Sequence, residues 1–277
     1  MNSTEVTSNG VAVCLKENAT LRDSSALRND PAALRVRLAE DGYLLLRGAI
    51  DPAIVLALRR AYLDSFPSGT VDDNGVTVES SLPPYGVSGH PAYAFVRSPV
   101  FKRFVDMPVL SRLAQALLDG PARRLPRTIL RHFQPNSRRT SRAHIDLHYM
   151  ERGSDRIVTM WLPIGDCPVA TGGLVYLERS HIIKPWRLTS LRAVSDRPHD
   201  SRPLSHDLAW VERQLNRRWV WADYRAGDIT VHLPYTIHAA LDTTGLVARM
   251  SVDVRFIHAH HHPDRRMLRL WAADDGA

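Results

Sequence analysis

The stretch Arg249-Met-Ser-Val-Asp-Val-Arg-Phe256 alternates polar and apolar residues without a break. Successive side chains of a strand point to opposite faces, so this period demands an extended segment with one buried face and excludes a helix there. It closes a series of similar signals. Arg156 to Gly165 reads Arg-Ile-Val-Thr-Met-Trp-Leu-Pro-Ile-Gly, an apolar strand. Thr171-Gly172-Gly173 turns the chain into Leu174 to Leu177, and Ala226-Gly227-Asp228 is a tight turn before Ile229 to His232. Helical periodicity comes earlier. Pro31 to Glu40 and Pro52 to Phe66 carry Leu and Ala at helical spacing, and Asp51-Pro52 supplies a cap followed by proline at the first helical position. Pro108 to Leu118 reads as a further helix stopped by Gly120, and Asp41-Gly42 leads into a strand over Tyr43 to Leu46. Helices first, then many short strands, point to an α+β chain that is mainly β.

Residues 1–25 are polar and aperiodic and are expected to be loosely ordered, leaving 26–277 as a single domain. Residues 67–92 carry Pro, Gly, Ser and Asn without periodicity and are expected to form a mobile lid. Residues 184–222 form a long insertion, helical near Leu208 to Leu215.

No apolar run approaches the ~20 residues that span a membrane. The start, Met-Asn-Ser-Thr-Glu-Val-Thr, lacks a basic segment followed by an apolar one. Two cysteines make no disulfide framework. These features place the chain in the cytoplasm. A net charge of +7, almost all arginine, raises the question of an anionic partner. The arginines are spread along the chain with no aromatic-interleaved basic stripe, which reads as a solvated surface in preference to a nucleic-acid site.

His144 and Asp146 stand two residues apart in Arg-Ala-His-Ile-Asp-Leu-His-Tyr149, and His238 lies far downstream. If His144-Ile145-Asp146 is extended, both polar side chains face one way and Ile145 forms the wall behind them. Two imidazoles and one carboxylate suit one face of Fe(II), leaving the other open. Arg249 follows His238 by eleven residues. A planar guanidinium there can grip a carboxylate with two hydrogen bonds, and Ser251 shares its strand face. His132 and His232 alternate with apolar residues and read as packing residues or as residues that support the ligands from behind, and the run from His258 to His262 as an exposed polar tail.

These residues, in this order, resemble the phytanoyl-CoA dioxygenase family of Fe(II)/2-oxoglutarate-dependent oxygenases, and within it the bacterial members that act on small secondary metabolites. The likeness runs over roughly residues 35 to 260 and is carried by Asp41–Gly48, His144–Tyr149, Thr171–His181, Ala226–Asp228, His238 and Arg249–Arg255. It implies a double-stranded β-helix (jelly-roll, cupin-like) core with flanking N-terminal helices. It implies Fe(II) on His144, Asp146 and His238, with 2-oxoglutarate and O₂ as co-substrates. Arg249 and Ser251 would hold the distal carboxylate of 2-oxoglutarate. Arg131 stands where some relatives carry an amide that touches the co-substrate. His148, Tyr149, Trp161, Tyr85 and His90 are candidates for contact with a small-molecule substrate. The expected reaction is hydroxylation of a C–H bond, with succinate and CO₂ as co-products; desaturation, epoxidation and ring formation share the same machinery. Related halogenases replace the metal-binding carboxylate by a small residue, so Asp146 points away from halogenation. A cupin-like metal protein without redox chemistry would have no need of Arg249 with Ser251.

Overall fold

The structure is a computed structural model that describes residues 3–78, 81–150, 153–192 and 202–272. Its largest element is a six-stranded sheet. β3 (Tyr43–Leu46), β9 (Ile229–His232), β6 (Ile157–Pro163) and β11 (Arg249–His258) lie side by side, and β11 pairs along its far edge with both β5 (Ile129–Phe133) and β4 (Ala122–Arg124). A three-stranded sheet in the order β10 (His238–Ala240), β7 (Leu174–Leu177), β8 (Trp219–Val220) faces it. Every pairing within the two sheets is antiparallel. Tyr43, Leu45, Trp161, Leu174, Tyr176, Val220 and Tyr224 form one cluster between the sheets.

The outer face of the large sheet is covered by helices. α1 (Pro31–Asp41), α2 (Pro52–Leu63), α3 (Pro91–Phe95), α4 (Pro99–Val105) and α5 (Pro108–Leu118) bury Leu34, Val55, Phe101 and Leu110 against Val158, Met160, Val252 and Val254. The caps read from sequence are in place. The Asp51 carboxylate accepts from the Ala53 N–H at 2.9 Å, and Asp30 accepts from Ala33 at 3.0 Å. Gly42 ends α1 at φ 79°, where a side chain would strike His181 and Thr236. Gly227 is equally constrained: at φ 94° an added Cβ would lie 2.2 Å from the Ile50 carbonyl oxygen.

The expected loose N-terminus is instead a hairpin. β1 (Ser3–Ser8) pairs with β2 (Val11–Lys16) through an Asn9-Gly10 turn. The sequence signal was weak because only Val13 and Leu15 of β2 are buried. They pack with α7 (Leu208–Leu215) on the outer side of the small sheet. α6 (Pro185–Arg192) and α7 occupy the insertion after β7, where helix was expected near residue 208. No helix among the described residues is long and apolar enough to cross a membrane.

The segment 67–92 also departs from expectation. Among its described residues, Thr70 and His90 are buried, Val71, Leu82 and Tyr85 pack on the helix-covered core, and the Gly75 carbonyl bonds His132 at 2.7 Å. None of them borders the cavity described below. The described residues of the segment are held by aromatic contacts and turns in place of regular structure, which accounts for its lack of periodicity.

Candidate active site

His144 and His238 are directly opposed across an antiparallel bridge. The N–H of each donates to the carbonyl of the other at 3.0 Å. Opposed residues of such a pair put their side chains on the same face, and the two imidazole centroids lie 4.2 Å apart. Nδ1 of His144 sits 2.6 Å from the Arg142 carbonyl, and Nδ1 of His238 sits 3.0 Å from the Thr236 carbonyl. A carbonyl only accepts, so each Nδ1 carries the proton and each Nε2 presents its lone pair. Both Nε2 atoms lie 3.8 Å from Oδ1 of Asp146.

Ile145 is extended (φ −113°, ψ 141°) and Asp146 begins a single turn of 3₁₀ helix, so the His-x-Asp segment does aim both ligands at one point. Ile145 faces away, into the cluster behind the small sheet. The carboxylate of Asp146 is held from the large sheet. Thr159 on β6 donates to Oδ2 at 2.5 Å, and Arg255 on β11 donates from Nε to Oδ2 at 3.2 Å and from Nη2 to Oδ1 at 3.3 Å. His232 Nε2 stands 3.5 Å from the same Oδ2, at the edge of bonding distance.

The electrostatics prepare a cation site. Burial pushes the His144 imidazole below its ordinary range, against the pull of Asp146, and pushes His238 well below it. Burial alone would raise the Asp146 carboxyl, but Arg255, His232 and His238 outweigh it and hold it well below the usual carboxylate range. Two neutral imidazoles and an ionised carboxylate are the protonation states that metal binding requires. Among the described residues, these three are the one group of His, Cys, Asp and Glu close enough to hold a metal, with donor atoms all within 4.8 Å of one another.

Arg249 is 1% exposed, yet its Nε and Nη2 make no hydrogen bond. Among the described residues its one polar contact is Nη1 to Ser251 Oγ at 3.4 Å, and its guanidinium lies 4.3 Å from the ring centroid of Phe133. Burial lowers it only to about 10, so it is a full cation at neutral pH. Buried donors are almost always satisfied, and an isolated buried charge is costly. Trp161 Nε1, on the same inner face of the large sheet, is a second buried donor with no partner. These orphaned donors fit an anionic group that binds there.

A cavity of about 280 Å³ opens beside the metal ligands. Its wall includes His144, Asp146, Tyr149, Arg131 and the ring of Phe133, behind which Arg249 lies. Of the residues singled out for substrate contact, Tyr149 is in place, 5.4 Å from the His144 ring. The other four stand elsewhere. His148 points its Nδ1 to the Arg202 carbonyl. Trp161 is fully buried against Tyr224. His90 caps α3 through Nδ1 and stacks edge-on with Phe66 and His132. Tyr85 packs behind Phe133 and against Trp271. Arg131 borders the cavity and pairs with Asp253 at 2.8 Å. Sequence reading missed Thr159 and Arg255. The signal for Arg255 was available, because it has the same strand parity as Arg249 and Ser251.

Residues 38–251 match the phytanoyl-CoA dioxygenase (PhyH) family. The chain belongs to that family. Its fold is shared by solved structures of low sequence identity. The epimerase SnoN from nogalamycin biosynthesis, in complex with Fe³⁺, alpha ketoglutarate and nogalamycin RO, is 23% identical with a TM-score of 0.59, over 84% of this chain and 86% of that one. The alpha-ketoglutarate-dependent carbocyclase SnoK of nogalamycin biosynthesis is 20% identical with a TM-score of 0.61, over 91% and 95%. EctD from S. alaskensis with bound Fe is 14% identical with a TM-score of 0.59, over 92% and 84%. No curated protein matches the sequence.

Proposed function

We propose that this PhyH-family chain is an Fe(II)- and 2-oxoglutarate-dependent oxygenase acting on a small molecule, built on a double-stranded β-helix formed by the two facing sheets. The observation that carries it is the pairing of a ready donor set, His144, Asp146 and His238, with a buried guanidinium, Arg249, whose Nε and Nη2 have no partner. A metal protein without a keto-acid co-substrate has no use for that cation.

His144 and His238 would offer Nε2 and Asp146 would offer Oδ1 to the iron. Bound there, iron and 2-oxoglutarate would use O₂ as the oxidant to oxidise a C–H bond, one oxygen atom passing into succinate as CO₂ is lost and the other into the product. The protein's own contributions follow from its contacts. The carbonyls of Arg142 and Thr236 fix the imidazole tautomers, and Thr159 and Arg255 orient the carboxylate. Arg249 and Ser251 hold the distal carboxylate of the co-substrate, with Phe133 excluding water from the guanidinium face. Arg131, fixed by Asp253, stands opposite Ser251 across the β5–β11 pairing and borders the cavity. Tyr149 borders the substrate.

Hydroxylation is the reaction we assign, since Asp146 leaves no position for a halide. Epimerisation and ring formation are named for SnoN and SnoK, and they make inversion or closure the second reading. Turnover of 2-oxoglutarate to succinate by the iron-loaded protein, lost in His144→Ala, Asp146→Ala and His238→Ala, tests the assignment. Full succinate formation and iron content in Asp146→Ala would reject it. The product mass, up by one oxygen or unchanged, separates hydroxylation from inversion.

A further inference from the structure

The candidate metal centre lies between two facing rows of side chains, one on each sheet. On the small sheet His144, His238 and Tyr176 stand in register: His238 is opposed to His144 by the bridge and to Tyr176 across β10 and β7. On the large sheet His232, Thr159 and Arg255 stand in register across β9, β6 and β11. Opposed residues of an antiparallel pair share a face, so each row turns its three side chains toward the other. Asp146 sits between the rows, with Thr159 and Arg255 on its Oδ2. His232 is the third member of their row.

His232 is 1% exposed, and its ring lies 4.3 Å from that of His238. Its Nδ1 is 3.2 Å from the Tyr176 hydroxyl, which in turn is 2.8 Å from Thr230 Oγ1. Its Nε2 is buried, has no hydrogen bond among the described residues, and stands 3.5 Å from Asp146 Oδ2. The tautomer follows from counting protons. With the proton on Nδ1, one hydroxyl proton of Tyr176 or Thr230 has no acceptor among the described residues, and the Nε2 lone pair faces a carboxylate oxygen. With the proton on Nε2, Thr230 donates to Tyr176, Tyr176 donates to Nδ1, and Nε2–H points at Oδ2. Every proton then faces an acceptor, as buried polar groups require. Tyr43 stacks on Tyr176 at 5.5 Å and steadies the ring that carries the hydroxyl.

We propose that His232 is a positioning residue of the metal centre: held in its Nε2–H form by Tyr176 and Thr230, it joins Thr159 and Arg255 on Oδ2 of Asp146 and keeps Oδ1 as the atom offered to the metal. This rests on the iron reading above. Three donors gather on Oδ2, whereas Oδ1 takes the 3.3 Å bond from Arg255 Nη2 and lies 3.8 Å from both ligand Nε2 atoms. A carboxylate whose second oxygen is tied back binds a metal through one oxygen, and that leaves a further position on the metal for other ligands.

The test titrates the intact protein anaerobically with Fe(II) alone and, separately, with Co(II), whose visible absorption follows its coordination number. His232→Phe keeps a ring of similar size and removes both nitrogens. It should weaken Fe(II) binding roughly 10- to 100-fold and change the Co(II) spectrum as Oδ2 is released. Tyr176→Phe should act in the same direction, and the double variant should bind no worse than His232→Phe, because both changes break one chain of hydrogen bonds. His232→Gln, whose amide N–H can reach the same oxygen, should recover most of the affinity. Thermal denaturation of the metal-free variants reads folding separately. Wild-type affinity and spectrum in His232→Phe, or in Tyr176→Phe should His232→Phe not fold, overturn the inference and leave the oxygenase reading standing. If His232→Phe loses affinity but His232→Gln does not recover it and the Tyr176 change adds to the loss in full, His232 acts by packing and the inference falls. A wild-type protein that binds neither metal overturns both readings.

Discussion

Replacing Arg249 by alanine tests the co-substrate site most directly. The side chain is buried and charged, and two of its donor nitrogens have no partner among the described residues. A carboxylate seated there would gain two charge-assisted hydrogen bonds in a site shielded from water. Removing one partner of such a pair costs roughly 2–5 kcal/mol, which is a loss of affinity of about 30-fold to several thousandfold. Thermal denaturation makes the effect visible. At a 2-oxoglutarate concentration about 100 times its dissociation constant, binding stabilises the iron-loaded protein by roughly 2.7 kcal/mol. For a chain of this size that raises Tm by about 5–10 °C. A 30-fold weaker variant at the same concentration retains only about 0.9 kcal/mol, a shift of about 2–4 °C. Arg249→Lys should fall between, keeping the charge but losing the fork. An Arg249→Ala protein that shows the wild-type shift across a full titration would refute the assignment.

Other consequences follow from single contacts. Thr159→Val removes the donor 2.5 Å from Asp146 Oδ2 without changing side-chain size; Fe(II) affinity, by anaerobic titration, should drop roughly 10- to 100-fold, and Thr159→Ser should restore it. Burial depresses His90 to about 3 and His132 to about 4, from an ordinary 6.5. The unfolded chain therefore takes up these protons first, so the stability they contribute is complete above pH 6.5 and is lost as pH falls from 6.5 toward 4, by about 1.4 kcal/mol per pH unit for each histidine. Denaturant melts of His90→Phe should show a shallower loss over that window, and an unchanged slope would contradict the burial argument. Gly227→Ala forces a Cβ to within 2.2 Å of the Ile50 carbonyl at φ 94°; equilibrium unfolding should register a loss of at least about 1–3 kcal/mol from backbone strain.

The sequence carried the metal ligands and the strands that hold them, because both depend on local period. His144-Ile-Asp146 is extended as its spacing requires, and Arg249–Phe256 lies within β11. α5 falls where its flanking Pro108 and Gly120 place it, although the left-handed residue that ends it is Asp119. The substrate side was much less legible. Tyr85, His90, His148 and Trp161 are chemically suitable, but each turns to a partner that only the tertiary structure supplies: Phe133, the Ala92 N–H, the Arg202 carbonyl and Tyr224. The make-up of the cavity was invisible for the same reason. Its walls come from the hairpin turn, β5, the 138–142 segment, β11 and the turn at Arg265–Leu268, which are adjacent in space and far apart in the chain.

β11 shows why fold and site are hard to separate here. Its outward residues, Met250, Val252, Val254 and Phe256, join the helix-covered core. Its inward residues, Arg249, Ser251, Asp253 and Arg255, are polar and buried. A slip of one residue against β6 would exchange the two sets, burying charge among the helices and emptying the site, so the register is fixed by both faces at once. Buried charges are tolerated when paired. Asp253 has Arg131, and Arg255 has Asp146. Arg249 has no carboxylate within ion-pair distance among the described residues, only the Ser251 hydroxyl and the face of Phe133. An apolar residue there would cost the fold less. On the proposed reading the guanidinium is explained by the co-substrate carboxylate it would bind, and the two paired charges beside it by the need to keep that strand, and the carboxylate of Asp146, in place.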